Sequence, residues 1–69
     1  MTNLEKLQAM LLHWKHHNVE HASTYQGWAD KMSEEGHAEL SVIMKTIAFE
    51  SVKINELFDK ALILLENKV

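Results

Sequence analysis

Five histidines occur in 69 residues, four of them crowded between Leu12 and Ala22. In the run His13-Trp14-Lys15-His16-His17-Asn18-Val19-Glu20-His21, the residues His13, His17 and His21 are four apart. On a helix such residues form one stripe that drifts by about 40° per step. Imidazoles at this spacing can chelate a single ion, as the paired histidines of zinc proteases do. Glu20, three residues after His17, can add a hard oxygen ligand. Two imidazoles and a carboxylate suit Zn, Ni or Fe(II), so the expected cofactor is a divalent transition metal. Cysteine is absent, which removes disulfides and thiolate metal sites.

These side chains need a rigid element to hold them. Thr2 followed by Glu5 has the form of a capping box and starts a helix near Asn3. Leu4, Leu7, Leu11, Trp14, Asn18, His21, Tyr25, Trp28 and Met32 then recur at spacings of three and four. Such a register forms the seam of a helix packed at a shallow angle on another. Ser33-Glu34-Glu35-Gly36 stops it, with Gly36 as the left-handed residue after the helix. A second helix carries Leu40, Ile43, Ile47, Glu50, Ile54, Leu57, Ala61 and Leu64 on its predicted seam. With no proline and only two glycines, the chain has few places for any other turn. The expected fold is all-α, one domain over residues 1–69, an antiparallel two-helix hairpin.

A turn at Glu35-Gly36 sets residues whose numbers sum to about 72 opposite each other. His21 then faces Glu50, the only acid on the second predicted seam, and joins it to the candidate ligand set of His13, His17, Glu20 and His21. The same pair has a second reading, a buried hydrogen bond that only fixes packing register. The apolar surface, with Met10, Leu12, Val42, Met44, Phe49, Phe58, Leu62, Ile63 and Leu65 beside the seams, exceeds what one hairpin can cover. Homo-oligomerisation into a four-helix bundle, as a dimer, is therefore expected.

The net charge of −3 and a pI near 5.9 argue against a nucleic-acid partner. The start lacks the basic and apolar regions of a signal peptide, and no apolar run is long enough to span a bilayer, so a soluble cytoplasmic protein is expected. Catalysis finds no footing. Neither a Gly-rich phosphate loop nor a nucleophile elbow is present, and the lone Glu-x-x-His, Glu34 to His37, straddles Gly36.

The run from His13 to Ala22, continued by Tyr25 and Trp28-Ala29, resembles a small uncharacterised helical family of archaea and anaerobic bacteria. Its pattern is His-Trp-x-x-His-Asn-x-x-His-Ala followed by an aromatic residue and Trp-Ala. His13, His17, Asn18, His21 and Trp28 match it. The resemblance implies a helical fold along most of the chain and an occasional association with small nickel-binding proteins of the carbon monoxide dehydrogenase accessory type. It brings no established activity. The function expected from these readings is a non-enzymatic, histidine-rich metal-binding helical module. The alternative is a homo-oligomeric scaffold in which the His-Glu pair only sets register.

Overall fold

A computed structural model describes residues 2–68 as two helices, α1 (Asn3–Glu34) and α2 (Ala38–Glu66), packed against each other. The predicted capping box is present. Glu5 donates its amide to the Thr2 hydroxyl at 3.2 Å, and the Thr2 amide donates back to the Glu5 carboxylate at 3.1 Å. At the other end of α1, His37 donates its amide to the Met32 carbonyl at 2.8 Å and Gly36 to the Ser33 carbonyl at 3.1 Å. This pair of bonds is a Schellman closure, and it requires Gly36 to sit at φ +85°, where a β-carbon would be strained. His37 occupies the N-cap of α2 without a side-chain capping bond.

The turn sets the level of one helix against the other. Asn18 donates its side-chain amide to Asn55 Oδ1 at 2.8 Å and also to the Ser51 carbonyl. Ser41 donates its hydroxyl to the Ala29 carbonyl at 2.7 Å, and Lys15 pairs with Asp59. These pairs follow the predicted sum of about 72, as two antiparallel helices joined by a short turn must.

Helix rotation differs from the expectation. On α1 the buried and half-buried line is Gln8, Leu11, Lys15, Asn18, Ala22, Tyr25, Ala29 and Met32. It keeps Leu11, Asn18, Tyr25 and Met32 of the predicted seam and replaces Leu7, Trp14, His21 and Trp28 by the residue after each. On α2 the line is Ser41, Met44, Ala48, Ser51, Asn55, Phe58, Leu62 and Leu65. There each position from Ser41 to Phe58, and Leu65, is one residue past a predicted one. Ala61, predicted for the seam, is itself half-buried beside Leu62.

The physical reason lies in the side chains. Ala22, Ala29, Ser41, Ala48 and Ser51 are small and let two backbones approach closely, whereas Trp14, Trp28 or Ile47 would hold them apart. Ala29 is fully buried, and the Ser41 hydroxyl spends its hydrogen bond on that residue's carbonyl. No helix among the described residues is long and apolar enough to cross a membrane.

Candidate functional site

The seam divides the hairpin into two sides. Val19, Ser23 and Gln26 each follow a seam residue of α1, and Lys45, Phe49 and Val52 each follow one of α2. All six line one shallow groove. Residues that precede seam positions therefore lie on the opposite side, since one step of helix rotation is about 100°.

That opposite side carries Leu7, Met10, Trp14, His17, His21 and Trp28 from α1. From α2 it carries Leu40, Ile43, Ile47, Glu50, Ile54, Leu57 and Leu64. Trp14 is 42% exposed, and Leu57 and Leu64 are each 62% exposed. Lys31 caps one end of this surface, its ammonium 4.4 Å from the centre of the Trp28 ring. A row of large Leu, Ile and Trp side chains thus lies open along most of the hairpin's length, interrupted near its middle by His17, His21 and Glu50.

The histidine stripe forms as predicted. The His13 and His17 ring centres are 4.3 Å apart, those of His17 and His21 are 6.1 Å apart, and His21 stacks on Tyr25 at 6.2 Å with a 17° tilt. Tyr25 is half-buried in the seam and ends the file, so the stripe runs from the outer face of α1 toward its partner helix.

The predicted carboxylates do not join it. The Glu20 carboxylate lies 3.1 Å from His16 Nε2, and the Glu50 carboxylate lies 3.8 Å from Lys53 Nζ. His21 and Glu50 share a level and a side, but both are exposed and no hydrogen bond links them. The expectation that they face each other inside the seam is corrected. Rotation of both helices puts Ala22 and Ser51 there instead. Among the described residues no three His, Asp or Glu side chains gather to hold a metal ion within one chain.

Two features lie outside the expected His-Glu pairing. Asn18 with Asn55 and the Ser51 carbonyl is a polar contact of the seam, beside Ser41 with the Ala29 carbonyl and Lys15 with Asp59, where His21 with Glu50 was expected. Asn18 on the predicted α1 seam, with Asn55 at a matching level one residue past the predicted α2 seam, was the available signal. The groove beside Val19 and Phe49 was missed, because its apolar residues are interleaved with Ser23, Gln26 and Lys45.

A family model described as a domain of unknown function, DUF8180, matches residues 7–65. The chain belongs to that family. The match takes in the whole histidine stripe, the turn and all but the ends of both helices. No curated protein and no solved structure matches the chain.

Proposed function

We propose that this DUF8180 chain is a non-enzymatic, self-associating helical module, whose working form is a four-helix bundle made by two hairpins closing on their His17 sides. The observation that carries this reading is the open row of Leu7, Trp14, Trp28, Ile47, Ile54, Leu57 and Leu64. A folded domain needs two packed layers to enclose a core, and this hairpin supplies one.

Surface area supports the same reading. A compact monomer of 8.0 kDa should expose about 4,450 Å², whereas this chain exposes 5218 Å². The surplus of about 770 Å² is close to one partner's share of a standard interface, about 800 Å². The His17 side favours the contact over the Val19 side. Away from the middle, only Thr24 and, at the rim, Lys31 break its apolar row, while charged Lys45, Glu56 and Asp59 break up the other.

Sedimentation of the full chain at micromolar concentration is expected to give at least twice the 8.0 kDa chain mass. Ile54→Glu should then return a monomer, while Val42→Glu, on the other side, should not. A wild-type monomer at that concentration overturns the reading.

Metal holding is the second reading, favoured by the file of three imidazoles along α1. It rests on the general capacity of histidines one turn apart to chelate a divalent ion.

A further inference from the structure

We infer that two copies of the chain together build one divalent transition-metal site, from His17 and His21 of each copy with Glu50 as an additional oxygen donor. The inference rests on the self-association proposed above. The site is incomplete in a single chain, where no three such ligands gather.

Position along the hairpin is the first ground. α1 runs from Asn3 to Glu34, so its midpoint falls beside Asn18, next to His17. Glu50 sits at the same level on α2. The His17 side is therefore polar at its middle and apolar toward both ends. Two identical hairpins related by a two-fold axis with full overlap must lay middle on middle. This holds whether their turns lie together or at opposite ends. His17, His21 and Glu50 of one copy then meet the same three residues of the other.

Chemistry is the second ground. Enclosing polar groups among Ile and Leu without partners is strongly unfavourable. Four imidazoles with carboxylates beside them satisfy one another well around an ion. Histidine nitrogen binds zinc at about 2.0–2.1 Å in tetrahedral sites, and imidazole with carboxylate also suits Ni and Fe(II). His13 and Glu20 lie further round α1, off the contact, and His16 is on the Val19 side, held by Glu20 at 3.1 Å. They stay outside the ligand set.

The test is titration of untagged, metal-free full chain with Zn(II) and with Co(II), followed by sedimentation and by the visible spectrum of the cobalt form. One ion per two chains is expected, with a tetrahedral cobalt spectrum and a dimer. His21→Ala and His17→Ala, each checked for helicity by circular dichroism, should weaken binding by at least about tenfold. His16→Ala should leave it unchanged. Binding should also weaken as pH falls, because only neutral imidazole ligates.

A metal-free dimer that binds neither ion at micromolar concentration overturns the inference and leaves the association standing. One ion per monomer, or an equal loss in His16→Ala, overturns it too. A chain that stays monomeric with and without metal overturns both readings.

Discussion

The seam between the helices and the open His17 side are built from different residues. In the seam, Ala22, Ala29, Ser41, Ala48 and Ser51 bring the backbones close, and Asn18, Asn55 and Ser41 supply directed hydrogen bonds. On the open side, Trp14, Trp28, Ile47, Ile54, Leu57 and Leu64 present bulk without a partner. Small residues and polar pins fix how one hairpin folds, whereas bulky apolar side chains offer area, which is what drives association in water. The strongest apolar period in the chain thus marks an outward surface and not the contact between its own helices.

The two regions should respond differently to mutation, and the largest effect belongs to the seam. Ala29→Leu forces three further heavy side-chain atoms into a fully buried position whose carbonyl already accepts from Ser41. Overpacking of this kind costs typically about 1–3 kcal/mol, so the urea midpoint should fall by that equivalent. The fall should appear at every protein concentration, because the damage lies within each chain. Trp28→Ala, one residue away, should instead lower the fraction of dimer seen by sedimentation at a given concentration, because it removes bulk from the open side. If both variants behave alike, the division between seam and open side is wrong.

Asn18→Leu comes next. It removes the donor shared by Asn55 Oδ1 and the Ser51 carbonyl. The carbonyl keeps its helical partner within α2, so one partly buried acceptor, Asn55 Oδ1, is stranded, at about 1–3 kcal/mol when its partner is lost fully. Part of that loss is recovered by solvent, since the site is only half-buried, so the lower end is expected. Combining it with Asn55→Leu should cost less than the sum of the two single changes, because the stranded Oδ1 disappears. Losses that simply add would show that the Asn pair does not act as a unit.

These contrasts also show what could be read from the residues alone. The capping box at Thr2 and Glu5, the stop at Gly36 and the level of one helix against the other all follow from local chemistry, and all appear in the fold. The rotation does not. Leu40, Ile43, Ile47, Ile54 and Leu57 give a convincing seam, and periodicity cannot say whether an apolar stripe meets its own chain or another. Residue volume could have helped. A line through Ala22, Ala29, Ser41, Ala48 and Ser51 permits a close approach that a line through Trp14 and Trp28 does not. The histidine stripe was legible because i, i+4 spacing is internal to α1. Its meeting with Glu50 was not, because that depends on the rotation of both helices.

The two glycines touch neither region and so report the backbone alone. A β-carbon added at Gly27 or Gly36 would meet no atom within 4 Å, so packing cannot decide either outcome. Gly27 lies within α1, where glycine is less stable than alanine by about 0.5–1 kcal/mol because the unfolded chain has more freedom to lose. Gly27→Ala should therefore stabilise the hairpin by that amount. Gly36 sits at φ +85°, and an L-residue in the left-handed region costs roughly 1–2 kcal/mol, so Gly36→Ala should destabilise it. Opposite signs in thermal melts of the two variants are the expected result. A loss at Gly27 would mean that its outward face is covered in the assembled protein, which would extend the association surface beyond the His17 side. A neutral Gly36→Ala would mean that the turn relaxes at little cost, and the level that aligns Asn18 with Asn55 would then have to be held by the seam.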